Sequence, residues 1–161
     1  MDDDDTLAAA LEREHREIDQ GIDAFTAGLA DDGDGDGDPA ALTRAMDALR
    51  RHIYLEEEFL FPPLREAGLM APVFVMLREH GQMWNTLDTL DAELARDGAG
   101  SAVLDTCREL EAQLQAHNSK EEPILYPQAE TVLTASAAAQ LRTFLDSGTM
   151  PEAWVCQTAR S

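Results

Sequence analysis

Four histidines occur in this 161-residue sequence, and their spacing pairs them. His15 and His52 are 37 residues apart, His80 and His117 are again 37 apart, and the second pair repeats the first at an offset of 65. The sequence around them repeats too. Arg13-Glu14-His15 returns as Arg78-Glu79-His80, and the run from His52 to Pro62 returns as the run from His117 to Pro127. Both runs read His, three variable residues, Glu-Glu, one variable, apolar, Leu, aromatic, Pro. A single histidine on an apolar helix face is ordinarily a satisfied core residue, but an internal duplication that takes up all four points to a shared task.

His-x-x-x-Glu is a geometric device. Residues four apart stand about one turn, roughly 6 Å, above each other on the same side of a helix, so one imidazole and one carboxylate aim at one spot. His52 with Glu56 and His117 with Glu121 provide two such pairs, and His15 and His80 add one imidazole each. Two interior carboxylates without compensation would cost several kcal/mol, so cations are expected among them. Six donors exceed what one tetrahedral zinc takes, whereas two ions bridged by both carboxylates, with two histidines each, use all six. The expected cofactor is two iron ions with an oxo or hydroxo bridge; manganese is the next candidate, and zinc an artefactual substitute. Each ion would retain an exchangeable position for a small molecule.

Residues beside these six have plainer readings. Glu14 and Glu79 precede their histidines and point about 100° away from them, which predicts surface charges. Glu57 and Glu122 read as solvated groups or as partners of the ligands. Met76, Met83, Trp84, Phe59 and Phe61 read as core that also limits access to the centre.

Four helical faces must position these donors, and the period of three and four supplies them. Leu7, Leu11, His15, Ile18, Ile22, Phe25 and Leu29 predict a helix over about 5–30. Leu42, Ala45, Leu49, His52, Glu56 and Phe59 form a second face, after Asp38 as cap and Pro39 in the first turn. Val73, Met76, His80, Met83, Leu87, Leu90 and Leu94 form a third, with Pro72 near its start and Gly98 past its end. Val103, Leu110, Leu114, His117, Glu121 and Ile124 form a fourth, with Ser101 as its cap. Leu133, Ala137, Leu141, Phe144 and Leu145 suggest a fifth, shorter helix outside the others. The fold predicted is all-α: an up-down four-helix bundle over 1–148, with a short fifth helix at its end and a docked tail over 149–161 that includes Trp154 and Cys156.

The run 31–38 alternates Asp and Gly and reads as an acidic linker. Its spacing mimics a calcium loop, but the twelfth position, where that loop needs a bidentate Glu, is Thr43. The formal charge of −20, from 32 acidic residues against 11 arginines and the lone Lys120, disfavours nucleic acid and anionic membrane as partners. It fits a salt-rich host or an arginine-biased one equally well. Two cysteines, Cys107 and Cys156, supply neither a disulfide framework nor a thiolate cage. With no long apolar span and an acidic start, the expected location is the cytoplasm, as a monomer or weak dimer.

The motif resembles the hemerythrin, or HHE cation-binding, family, whose signature is a histidine followed by His-x-x-x-Glu, given twice. The likeness runs over roughly 7–130 and matches at His15, His52, Glu56, His80, His117 and Glu121. It departs from the oxygen carriers, in which the third helix has a second histidine four residues on, here Trp84, and the last acid comes one residue later. The resemblance therefore implies a di-iron protein closer to those that repair nitrosatively damaged iron centres, or to a domain that senses iron and oxygen. The expected function is to bind, sense or reduce oxygen, peroxide or nitric oxide. A non-catalytic iron sensor, donor or store is the alternative, and a metal-free helical interaction module a third.

Overall fold

The computed structural model describes residues 6–30, 38–97 and 100–159. Among them the chain runs as four helical rods and a shorter fifth helix, with no strand. The first rod is α1 (Leu7–Ala30); the second joins α2 (Pro39–Leu55), a π-helical turn (Glu56–Leu60) and α3 (Phe61–Glu66). The third is α4 (Met70–Asp97). The fourth joins α5 (Ser101–Lys120), a second π turn (Glu121–Leu125) and α6 (Tyr126–Val132), after which α7 (Ala135–Ser147) lies outside. Neighbours form a closed ring, α1 touching α2 and α5, and α4 touching the same two.

Local chemistry sets the rod ends. Asp38 caps α2 by accepting from the Ala40 N–H, with Pro39 in the first turn, and Thr134 caps α7 through the Ala137 N–H. Between α3 and α4 the chain turns in three residues. Gly68 takes φ 101°, its N–H donates to the Arg65 carbonyl, and the Leu69 N–H reaches back to the Leu64 carbonyl, the paired bonds of a glycine-terminated helix. Gly100, not Ser101, is the N-cap of α5, so Ser101 is the first helical residue instead of the cap. Leu133 ends α6 in an extended conformation and precedes α7. Gly98 and the segment 31–37, including the rejected calcium spacing, lie outside the described residues.

The two π turns change which residues face inward. In each, one extra residue enters the spiral, and the N–H of Phe61 or Tyr126 donates five residues back to Glu56 or Glu121. Prolines 62, 63, 123 and 127, which lack the N–H an α-helix would use, cluster in and just after these turns. Downstream of each insertion the expected register therefore slips by one. Ile124, predicted to face inward, is 50 % exposed, whereas Leu125 is buried; likewise Leu60 is fully buried and Phe59 only half so.

Inside the bundle two apolar clusters form. One gathers Ile18, Ile22, Leu49, Ile53, Met83 and Trp84, and the other Leu7, Leu11, Leu55, Leu60, Met76 and Leu77. His15, His52, His80 and His117 fall in a polar layer between them. Gly21 lets α1 approach α2 closely, since a Cβ there would stand 2.8 Å from that of Ala45.

Beyond α7 the chain lies back over the bundle. Trp154 packs edge-on against Trp84 and Tyr54, Cys156 is buried, and Thr158 Oγ1 donates to the Leu77 carbonyl at 2.7 Å. Gly81 makes room for that contact, because a Cβ at this position would collide with Thr158 Oγ1.

Candidate metal centre

Every donor singled out from the sequence arrives in the layer between the apolar clusters. His15, His52, His80 and His117 are at most 4 % exposed, and Glu56 and Glu121 are fully buried. α1 and α4 each supply one histidine. The second and fourth rods each supply a histidine and, one turn later, the first residue of a π turn, Glu56 or Glu121. Two groups of four donors result: His15, His52, Glu56 and Glu121 on one side, and Glu56, His80, His117 and Glu121 on the other, each with its ligand atoms within 4.8 Å of one another.

Both carboxylates belong to both groups, and their oxygens divide accordingly. Glu56 turns Oε1 to His80 Nε2 at 3.1 Å and Oε2 to His52 Nε2 at 3.4 Å. Glu121 turns Oε1 to His15 Nε2 at 3.2 Å and Oε2 to His117 Nε2 at 3.3 Å. Two donors about 2.1 Å from one ion stand roughly 3.0 Å apart at a right angle and 3.4 Å at a tetrahedral angle, so these spacings suit donors of shared cations. A further observation supports the fit. Glu121 Oε2 is a fully buried carboxylate oxygen that has no well-formed hydrogen bond among the described residues, only the contact with His117 Nε2 at 3.3 Å, an arrangement that favours a cation beside it.

Behind each imidazole stands a glutamate. His15 Nδ1 lies 3.2 Å from Glu122, His52 Nδ1 2.8 Å from Glu14, His80 Nδ1 2.8 Å from Glu57, and His117 Nδ1 3.0 Å from Glu79. Such contacts fix each ring with Nε2 turned into the centre and raise its basicity. Of the two readings open for Glu57 and Glu122, solvated group or ligand partner, the contacts with His80 and His15 favour the second. Glu14 and Glu79, predicted to be surface charges, are only 20 % and 14 % exposed and correct that expectation. Pointing away from their own histidine, they point at the histidine of the next helix instead. Arg51 also donates to Glu14, and to the carbonyls of Phe144, Leu145 and Gly148 at the end of α7. Gln157 donates its N–H to Glu57, so the tail too supports an orienting carboxylate.

Charge in the metal-free centre is balanced by protons. Burial alone would lower the His52 and His117 pKa values, but the charges of Glu56 and Glu121 and the hydrogen bonds of the glutamates raise both to about 10. His80 is raised as well, its bonds to Glu56 and Glu57 outweighing burial. Burial pushes Glu121 up, yet the facing His117 and His15 hold it well below the ordinary carboxylate range. Glu56 is lowered by His52 and His80 against burial and the charge of Glu121.

One participant is not legible in the sequence. Tyr126, fully buried, places its hydroxyl 2.7 Å from Glu56 Oε2, 2.9 Å from Glu121 Oε1, 2.8 Å from His15 Nε2 and 3.0 Å from His52 Nε2. In a regular α-helix a residue five after Glu121 would point about 140° away from it. The π turn brings it back over the carboxylate, and the repeated prolines are the available signal of that irregularity. Phe61 holds the equivalent place in the other half, stacked on His80 at 5.3 Å.

Among the described residues no helix is long and apolar enough to cross a membrane. The two thiols are buried, and burial, with Glu111 and Glu93, pushes Cys107 up to about 12, which keeps it protonated and unreactive. Residues 5–129 match the model of the hemerythrin HHE cation-binding domain. No curated protein and no solved structure matches the chain.

Proposed function

The chain belongs to the hemerythrin HHE cation-binding family, and we propose that its six donors hold two iron ions that bind, sense or reduce a small oxidant. The reading rests on one observation: two four-donor groups share both Glu56 and Glu121. With two imidazoles each, the positions suit a pair of like ions, and mixed nitrogen and oxygen donors suit iron first and manganese next. Bound iron would supply an electron-transfer centre with an exchangeable position for oxygen, peroxide or nitric oxide.

The protein's own part is to preorganise and to exclude. Glu14, Glu57, Glu79 and Glu122 hold the four rings in one tautomer. The apolar clusters on both sides keep bulk water out, so only a molecule of a few atoms reaches donors that are at most 4 % exposed. The protons on His52 and His117 leave as cations enter, which couples loading to pH.

Metal analysis of protein expressed in iron-replete medium, with optical spectra under air and under nitric oxide, tests the reading. About two irons per chain and ferric absorption bands that change with nitric oxide are expected. Absence of stoichiometric iron or manganese would remove it. Peroxide and nitric oxide turnover then separates a reducing centre from a sensor or store, for which a metal-dependent rise in Tm without turnover is expected.

A further inference from the structure

The two halves of the centre are related by the internal duplication, and one oxygen atom breaks that relation. All four donors of the His15–His52 half lie within 3.0 Å of the Tyr126 hydroxyl. In the His80–His117 half the matching side chain is Phe61, which has no oxygen and lies flat against His80. The difference is not a matter of position in the chain, because both aromatics follow their carboxylate by five residues and both are carried inward by a π turn with the same i to i+5 bond.

A single hydroxyl proton cannot serve two carboxylates at once, and Oη approaches Glu56 and Glu121 almost equally closely. A hydroxyl whose task was to cap one carboxylate would sit nearer to that one. Oη instead occupies a vertex common to two imidazole nitrogens and two carboxylate oxygens, all 2.7–3.0 Å away, close to the roughly 3.0 Å that separates adjacent donors about 2.1 Å from one ion. It lies on the side of the His15 and His52 nitrogens, with no contact to those of His80 or His117.

We propose that Tyr126 is a seventh protein ligand, a phenolate bound only to the ion held by His15 and His52, so that the small-molecule reactant binds the other ion, held by His80 and His117. This rests on the binuclear reading above and adds an inequality between the two ions. As the Oη–iron bond forms the O–H bond breaks, and its proton leaves to solvent; no electron changes hands in that step. The first ion then has five protein donors and the second four, and Phe61 keeps the second open by offering bulk without a donor.

The test is optical absorption and resonance Raman spectroscopy of the full-length diferric protein, with iron content measured on the same samples. A phenolate-to-ferric charge-transfer band is expected, with enhanced tyrosine ring vibrations on excitation within it. Tyr126→Phe should lose both while retaining two irons. Phe61→Tyr, which offers an oxygen to the second ion, should roughly double the band and weaken nitric oxide binding. Tyr54, the only other tyrosine, packs among Phe59, Phe144 and Trp154 and contributes no band. Wild-type protein with two irons and no enhanced tyrosine vibrations overturns the proposal and leaves the binuclear reading standing, as does a band that persists in Tyr126→Phe. If Tyr126→Phe fails to fold, the wild-type spectrum decides alone. A folded chain that takes up no iron overturns both.

Discussion

Replacing Glu14 with leucine removes the carboxylate that holds His52 Nδ1, at 2.8 Å, and leaves every donor atom of the centre in place. Hydrogen bonds to charged groups contribute about 1.5–3 kcal/mol. With Glu14 only 20 % exposed, solvent replaces little of this one. At about 1.4 kcal/mol for each factor of ten, the whole contact corresponds to roughly a 10- to 100-fold change in metal affinity, the range also found when partners of metal-bound imidazoles are removed. Part of the contact supports the metal-free protein as well, where Glu14 faces a protonated His52. The lower end, roughly tenfold weaker binding, is therefore the expected result. Arg51 retains its bonds to the Leu145 and Gly148 carbonyls, so α7 should stay docked and the fold intact. The assay is anaerobic titration of ferrous iron against a chromogenic chelator, with circular dichroism to verify the bundle. Glu17→Leu, at an exposed position of the same helix, is the control and should leave affinity unchanged. Affinity within twofold of wild type for Glu14→Leu, or an equal loss for Glu17→Leu, would refute the assignment of Glu14 as the group that orients His52.

In chelator, His117→Leu should destabilise the bundle by about 3–5 kcal/mol, because Glu121 then lacks its principal counter-charge; a shift in the urea midpoint reads this, and an unchanged midpoint contradicts it. The metal-free protein should lose stability as pH rises. His52 and His117 are raised from 6.5 to about 10 in the folded state, so their contribution is complete below pH 6.5 and is lost as pH climbs through 10. Calorimetry in chelator should show Tm falling over that window, while metal affinity, which needs unprotonated imidazoles, should rise across the same window up to about pH 10. Gly81→Ala sets a methyl against Thr158 and should lift the tail, costing about 1–3 kcal/mol and loosening the Gln157–Glu57 bond behind His80. Faster amide exchange over 150–159 and a shift in tryptophan emission report this; unchanged exchange contradicts it.

Much of this architecture is written in periodicity. Leu7 to Phe25 and Val73 to Leu90 follow a single spacing through one regular helix each, and both faces are buried as their pattern implies. His-x-x-x-Glu survives folding because the slip begins at the glutamate itself, so His52 and Glu56 still share a face. Past each glutamate the pattern misleads, for a fixed 3.6-residue period cannot represent an inserted residue. Such a period sets Ile124 inside and passes over Leu125 and Tyr126, although Pro62, Pro63, Pro123 and Pro127 mark where the regular ladder fails. Glu14 and Glu79 are hidden for another reason. Their direction on the helix is legible, but its meaning depends on which helix lies alongside, and only packing supplies that.

Everything turns on whether two cations share Glu56 and Glu121. Iron X-ray absorption on the loaded protein measures that directly through metal–metal scattering. An iron–iron vector at roughly 3–4 Å, with nitrogen and oxygen neighbours near about 2 Å, is the expected result, and it should vanish when Glu56 and Glu121 are both replaced by alanine. Mononuclear iron with no second metal in range, or an iron–iron vector that survives the double replacement, would contradict the account.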